Sequence, residues 1–90
     1  MDYKTLGNTG LLVSRLCLGT MTFGGAKGAR ARVWKTIGAV DQKGADELVK
    51  AAVESGINFF DTADVYSDGE SEQTLGQSLK NLNIARKDVV

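Results

Sequence analysis

The sequence predicts an α/β fold with a parallel sheet preceded by a β-hairpin. Short apolar pieces alternate with segments of helical apolar spacing, in the order hairpin, strand, loop, helix, strand, loop, helix, strand. The apolar pieces end in glycine or polar residues, where loops begin. Strands that alternate with helices are typical of parallel sheets built from right-handed crossovers.

Composition limits the classes of function. The 90 residues are 42% hydrophobic and 24% charged, which is ordinary for a folded domain. Eleven basic and eleven acidic residues cancel, so we expect neither a nucleic-acid nor an anionic-membrane partner. With Cys17 as its one cysteine and no histidine, the chain lacks an internal disulfide and the usual zinc ligands. Without a signal-peptide pattern or an apolar run near ~18 residues, we expect a soluble, cytoplasmic protein.

The N-terminus has the pattern of a hairpin. Residues 3–6 and 11–13 are strand-like and flank a turn cluster of glycine, asparagine and threonine at residues 7–10. Such a cluster commonly closes two antiparallel strands. We therefore expect a small hairpin over residues 3–13.

A short strand and a long loop follow. Residues 16–18 are predicted to be a brief buried strand, in which Cys17 behaves as a small buried side chain. The strand stops at Gly19, which would let another group approach closely. Residues 20–40 are irregular, and the sequence predicts a solvated loop there. The basic residues of that loop are Lys27, Arg30, Arg32 and Lys35.

Two amphipathic helices are predicted. In the first, which Asp41 can cap and Gly56 can end, apolar residues fall at i, i+3, i+4, i+7 and i+8. These residues are Ala45, Leu48, Val49, Ala52 and Val53. The second is predicted over residues 71–80 with Ser71 as its N-cap. Its shared apolar face consists of Leu75, Leu79 and Leu82.

Polar groups follow directly after the strand predicted at residues 58–60. Asp61 and Asp64 lie where the strand becomes a loop, and Tyr66 follows them. In a barrel of alternating strands and helices, the active site lies at the rim where the strands end and the following loops begin. A turn-and-packing interpretation remains open, because Asp and Thr are common at helix starts and turns.

The chain ends in an unfinished pattern. Residues 88–90 look like the start of another strand. A (β/α)₈ barrel typically has about 250 residues, so the 90 residues of this chain would make up about a third of one. We expect residues 1–90 to be a single partial domain, comprising the hairpin, two βα units and the start of a third strand.

Two nucleotide-binding motifs are absent from the sequence. No two glycines lie two positions apart, which excludes the dinucleotide fingerprint G-x-G-x-x-G. Residues 19–25 begin like a P-loop but have glycine where the phosphate-binding lysine is required. If the protein binds a nucleotide, we therefore expect it to do so without a dinucleotide fingerprint or a P-loop.

Several motifs in this order resemble those of the aldo-keto reductases. They lie at residues 6–14, 19–24, 61–66 and 69–76. The similarity covers nearly all of the chain except residues 26–37. It implies the N-terminal part of a (β/α)₈ TIM barrel that binds NADPH across its carboxyl-terminal rim and reduces aldehydes or ketones by hydride transfer.

The resemblance implies catalytic roles for two residues. Tyr66 matches the tyrosine that donates a proton to the carbonyl oxygen, and Asp61 matches the aspartate that pairs with the family's lysine. That lysine and the family's histidine would lie beyond Val90, so half of a four-residue site is present. Lys87 precedes the third strand and should point to the opposite end of the barrel.

The resemblance also implies a cofactor segment and a substrate pocket. Gly19, Thr20 and Met21 match the segment beside the nicotinamide and its ribose, and Asp61 touches the same region. Phe23 and Trp34 could line a carbonyl pocket. The alternatives are a plain turn glycine at position 19, core packing by Met21, and loop anchoring by the two aromatic residues.

Three hypotheses of function follow. The first is an NADPH-dependent reductase of small carbonyl compounds. The second is a cofactor-binding regulatory subunit, because potassium-channel beta subunits share the barrel and these motifs. The third is an inactive fragment whose open parallel sheet promotes aggregation.

Overall fold

The computed structural model describes residues 1–25 and 39–90. Trp34 and the basic residues of the predicted loop lie outside the described residues. The strands are β1 (Tyr3–Thr5), β2 (Leu12–Ser14), β3 (Leu18–Gly19) and β4 (Phe60–Asp61). The helices are α1 (Gln42–Glu54) and α2 (Glu70–Asn81), with short 3₁₀ turns at Tyr66–Gly69 and Arg86–Asp88. No helix in the described ranges combines the length and the apolar character needed to cross a membrane.

The N-terminal hairpin is confirmed. Strands β1 and β2 are antiparallel, with Tyr3 opposite Ser14 and Thr5 opposite Leu12. The hairpin is fixed to the chain just before β4 by Asn58, whose Oδ1 accepts from the Ser14 amide at 2.7 Å. The Asn58 side-chain amide also donates to the Leu12 carbonyl at 2.9 Å. A polar side chain therefore joins the hairpin to the parallel sheet.

Strands β3 and β4 form the predicted parallel pair, with Leu18 opposite Phe60 and Gly19 opposite Asp61. Val90 extends this pairing, because its amide donates to the Asn58 carbonyl at 2.8 Å and its carbonyl accepts from the Phe60 amide at 2.9 Å. The third strand therefore starts beside β4. Residue 88 still belongs to a 3₁₀ turn, and the backbone becomes extended at Val89. The described strands do not form a closed barrel.

Helix α1 begins as predicted, because the Asp41 side chain accepts from the Gly44 amide at 2.8 Å. Its buried stripe consists of Ala45, Val49 and Ala52. The prediction that Leu48 belongs to the buried face is wrong, since Leu48 is 45% exposed. It lies at the edge of the stripe, where the described residues cover it only in part.

Helix α2 begins differently from the prediction. Its N-cap is Gly69 in a left-handed conformation with φ 96°, where the absence of a Cβ avoids strain. Ser71 lies within the first turn and bonds outside its own helix, so the N-cap prediction is wrong. The apolar face is confirmed, because Leu75 is buried and its neighbours Leu79 and Leu82 pack against the core.

The core lies between the parallel strands and the two helices. Its buried residues are Phe23, Ala45, Val49 and Leu75. Leu18 and Phe60 pack against them, so one face of the β3–β4 pair is covered by helices. The prediction that Cys17 is buried is wrong. Side chains alternate along a strand, so Cys17 is on the opposite face from Leu18, where no described helix packs.

The loop between β3 and α1 is closed where it meets the sheet. Phe23 and Val40 form an isolated parallel bridge. The Gly24 amide donates to the Val40 carbonyl at 2.9 Å, and the Val40 amide donates to the Thr22 carbonyl at 2.7 Å. Phe23 and Val40, which lie on either side of residues 26–38 in the sequence, are therefore neighbours in the fold.

Candidate functional site

The carboxyl ends of β3 and β4 meet at one edge of the sheet. Gly19 and Asp61 are direct partners in the parallel pair, and both residues are exposed. Because Leu18 and Phe60 face the helices, Gly19 and Asp61 face the other side. A carboxylate and a residue with no side chain are thus adjacent on the helix-free face of the sheet.

Two buried residues with hydroxyl groups, Thr20 and Ser71, stabilise this edge of the sheet from its buried side. Both Thr20 and Ser71 are 0% exposed. The Thr20 amide and its Oγ1 each donate to the Asp61 carbonyl, at 3.0 and 2.8 Å. The Ser71 hydroxyl donates to the Thr20 carbonyl at 2.6 Å. Strands β3 and β4 and the first turn of α2 are therefore joined through Thr20.

The loop from β4 to α2 carries Tyr66 on a strained backbone. Tyr66 is half-buried, and its amide donates to the Ala63 carbonyl at 3.2 Å. Ser67 and Asp68 follow with φ of 49° and 54°, in the left-handed region. Each such non-glycine residue costs about 1–3 kcal/mol, which the surrounding contacts must offset. Backbone strain at this level is concentrated at functional sites in proteins.

Gly24 lies against this loop, and its own backbone has φ 104°. A Cβ added to Gly24 would lie 3.0 Å from the Glu70 Cβ and 3.1 Å from the Ser67 Cβ. Real Cβ atoms rarely come so close to other heavy atoms. The loop behind Tyr66 therefore rests on a glycine that leaves no space for a side chain.

Gly19 presents the opposite situation. Its φ is not in the left-handed region, and a Cβ built there meets no atom of the described residues within 4 Å. The fold of the described residues does not require glycine at this position. The space that a side chain would fill lies on the helix-free face beside Asp61.

Cys17 shares that face but has no feature of a nucleophile. Partial burial raises the pKa of its thiol, and the nearby negative charge of Asp61 raises the pKa further. A raised pKa keeps the thiol protonated near neutrality, and the thiolate is the reactive form.

The other predicted site residues lie in different environments. Met21 is 44% exposed, so the alternative that it packs in the core is wrong. Phe23 is 1% exposed and belongs to the core, which favours loop anchoring. Trp34 lies outside the described residues. Thr20 has no exposed surface. The cofactor and catalytic roles of the predicted site residues stay predictions.

Sequence reasoning missed two residues of the site. A serine near a helix start resembles an N-cap, so Ser71 was not predicted to bond across to Thr20. Nothing in the sequence distinguished Gly24 from the other glycines of the predicted loop. Among residues 1–25 and 39–90, no His, Cys, Asp or Glu side chains are grouped to hold a metal ion.

Fold and site together define an α/β protein whose candidate chemistry lies at the carboxyl edge of a parallel sheet. Residues 15–90 match the model of the Aldo/keto reductase family, and the chain belongs to this family. This confirms the resemblance drawn from the motifs.

Relatives and a solved structure agree with the family. The chain is 46% identical over 88 residues to the aldo-keto reductase AFTS1 of Alternaria alternata, covering 98% of this chain and 22% of the relative. It is 40% identical over 91 residues to a probable voltage-gated potassium channel subunit beta of Oryza sativa, covering 100% of this chain and 24% of that protein. The crystal structure of the thermostable aldo-keto reductase Tm1743 with the inhibitor epalrestat matches with a TM-score of 0.68 and 30% identity, over 99% of this chain and 29% of that structure. The chain therefore spans less than a third of the length of each.

Proposed function

We propose that this chain is the N-terminal part of an NADPH-dependent oxidoreductase that reduces small aldehydes or ketones to alcohols. Membership of the family supports oxidoreductase chemistry. The observation that carries the proposal is the pairing of Gly19 with Asp61 on the helix-free face, with Tyr66 on the loop that follows. A (β/α)₈ barrel places its active site at this end of its strands.

The described elements fit the start of such a barrel. Two strands lie parallel in order, helices cover one face, and Val90 begins a third strand beside β4. In a closed barrel the face that holds Gly19 and Asp61 would line the interior. We propose that residues 1–90 form the hairpin and the first two βα units of that barrel.

The residues present fit a nicotinamide cofactor at the strand edge. Gly19 leaves open space there without a structural requirement for glycine, which suits close approach by a flat ring. Met21 is exposed two residues further along and can contact the same ligand. When bound, the cofactor would supply the hydride to the carbonyl carbon. The preference for NADPH over NADH is part of the proposal.

Tyr66 would act as the general acid. Its hydroxyl proton moves to the carbonyl oxygen of the substrate as the carbon is reduced, which leaves the alcohol and a phenolate. A phenol has an ordinary pKa of about 10, so an ammonium group close by is needed to favour the anion. The resemblance to the family implies a lysine for this task, elsewhere in the whole protein, and we propose that Asp61 pairs with it.

The test is the substitution Tyr66→Phe in the whole protein. We expect NADPH oxidation with a simple aldehyde to fall by about 10²–10⁴-fold, the usual contribution of a general acid. Tyr3→Phe is the matched control, because Tyr3 is the other tyrosine of the sequence and its hydroxyl donates to the Gly56 carbonyl at 2.6 Å. An unchanged rate in Tyr66→Phe would reject the assigned role.

A second candidate is a cofactor-binding regulatory subunit of a membrane channel. The 40% identity to the probable potassium channel subunit beta of rice favours it. The two functions differ in turnover: a reductase oxidises many equivalents of NADPH per protein, whereas a regulatory subunit would bind the cofactor and oxidise little. The 90-residue chain alone is expected to be inactive in either case, and a cytoplasmic location stays a prediction.

A further inference from the structure

The hydroxyl of Ser71 is the centre of a buried polar cluster that the proposed chemistry does not yet use. Its Oγ lies 2.6 Å from the Thr20 carbonyl oxygen and 3.2 Å from Thr20 Oγ1. Thr62 Oγ1 lies 3.5 Å from the same Ser71 oxygen. Ser71 has no exposed surface, and a buried hydroxyl is retained at a cost unless it bonds. Its bonds here all lead to the ends of the parallel strands.

Thr20 connects the two ends of the loop that carries Tyr66. It holds Asp61 at one end through two donors to the Asp61 carbonyl. It holds Ser71 at the other end by accepting from the Ser71 hydroxyl. The segment 62–70 is therefore a closed loop with both ends fixed to Thr20, the residue directly after β3.

The backbone of this loop needs such restraint. Ser67 and Asp68 have left-handed φ values that non-glycine residues disfavour. Gly24 packs against Ser67 and Glu70 from the other side. Release of one end would let the two residues return to an ordinary conformation, and Tyr66 directly precedes them.

We propose that Ser71 is a positioning residue for Tyr66, acting through Thr20 and the loop 62–70 without touching substrate or cofactor. The inference rests on the proposed role of Tyr66 as general acid. Positioning of a reacting group to within about 1 Å affects the rate by about 10²-fold, whereas ground-state binding depends on other contacts. Ser71 therefore controls the rate of the chemical step more than the affinity for either ligand.

The experiment compares Ser71→Ala with Ser78→Ala in the whole protein. Ser78 is a matched control, because it is also a completely buried serine of α2 but bonds to Asp46 on α1. We expect Ser71→Ala to lower kcat by about 10- to 100-fold with KM and cofactor Kd changed less than about twofold. Ser78→Ala should lose comparable stability and keep its kcat.

Two further measurements separate positioning from general destabilisation. Amide hydrogen exchange in residues 62–70 should be faster in Ser71→Ala and unchanged in Ser78→Ala. At Thr20, the substitution Thr20→Val removes the hydroxyl that donates to the Asp61 carbonyl and should speed amide exchange in residues 62–70, as Ser71→Ala does.

Equal kcat and loop exchange in Ser71→Ala and Ser78→Ala would overturn the inference. A rise in KM with unchanged kcat would overturn it as well, because that pattern marks lost binding. A wild-type protein without reductase turnover would instead reject the proposed function. Exchange of the loop would still be informative then, since unchanged exchange in Ser71→Ala rejects the anchoring and faster exchange supports it.

Discussion

Gly19 shows how a single missing side chain can be informative. Glycine weakens a strand by about 0.5–1 kcal/mol relative to alanine, so its presence in β3 calls for a reason. A left-handed φ or a crowded Cβ position would supply one, and Gly19 has neither. The remaining reason within our proposal is a ligand that packs against the bare backbone.

The substitution Gly19→Ala tests this reason. We expect the urea midpoint of the whole protein to stay the same or rise, because the added methyl group meets no atom of residues 1–25 and 39–90 within 4 Å. Cofactor binding should weaken by about 1–3 kcal/mol, the usual cost of overpacking, as measured by titration of cofactor fluorescence.

Gly76→Ala is the matched control for Gly19→Ala. Gly76 lies inside α2, and a Cβ there also meets no atom within 4 Å in the part of the chain that the structure describes. Alanine should stabilise this helix by about 0.5–1 kcal/mol and leave cofactor affinity unchanged. Full cofactor affinity in Gly19→Ala would reject the proposed contact between the ligand and the Gly19 backbone.

At the scale of elements, the contact between the loop after β4 and the glycine segment after β3 is tight. Gly24→Ala would place a methyl group against backbone and Cβ atoms of Glu70 and against Ser67, at a φ of 104° that alanine disfavours. We expect a loss of about 2 kcal/mol or more in the free energy of unfolding, measured by urea denaturation. A variant as stable as the wild-type protein would show that the loop can shift without cost.

Helices α1 and α2 are joined by a polar cluster around Asp46. Ser78 Oγ donates to Asp46 Oδ1 at 2.6 Å, and Asn81 Nδ2 donates to Asp46 Oδ2 at 2.9 Å. Gln42 Nε2 donates to the same carboxylate at 2.9 Å. These bonds, led by the one from Ser78, hold the pKa of Asp46 below its ordinary value. The carboxylate form of Asp46 is therefore favoured by folding.

The lowered pKa of Asp46 predicts an acid-dependent stability. An unfolded Asp has a pKa of about 3.9, so the stabilisation is fully present above that pH and is lost as the pH falls through the lower folded value. Asp46→Asn should be less stable than the wild-type protein at pH 7, and the difference should shrink in acid below about pH 4. Urea midpoints measured across this range provide the test.

Glu47→Gln is the control for the acid dependence, because Glu47 is an exposed carboxylate of the same helix. It should leave the wild-type profile nearly intact. A gap between wild type and Asp46→Asn that stays constant from pH 7 to pH 3 would contradict the assigned role of the carboxylate.

For the molecule as a whole, local patterns predicted the elements and missed some of their environments. The hairpin, the cap by Asp41 and the apolar face of α2 depend on neighbours in sequence, and all three are confirmed. Burial of Leu48 and Cys17 depends on what packs from outside the element, which periodicity does not contain. These two predictions were wrong for that reason.

The residues of the candidate site also divide into those that the sequence pattern predicted and those that it missed. The pairing of β3 with β4, which places Asp61 next to Gly19, follows from the predicted parallel sheet. Ser71 and Gly24 act across the fold, on Thr20 and on the loop 62–70, so no local motif identifies them. The roles of Tyr66 and Asp61 came from resemblance to the family and stay predictions.

The bridge between Phe23 and Val40 has a consequence for engineering. Because Phe23 and Val40 pair on either side of residues 26–38, we expect insertions between these ends to leave β3 and α1 in place. Each doubling of a loop adds only about 0.6 kcal/mol of closure entropy. Peptide tags or small reporter domains inserted between these ends would therefore be carried on the same framework, next to the edge that holds Gly19.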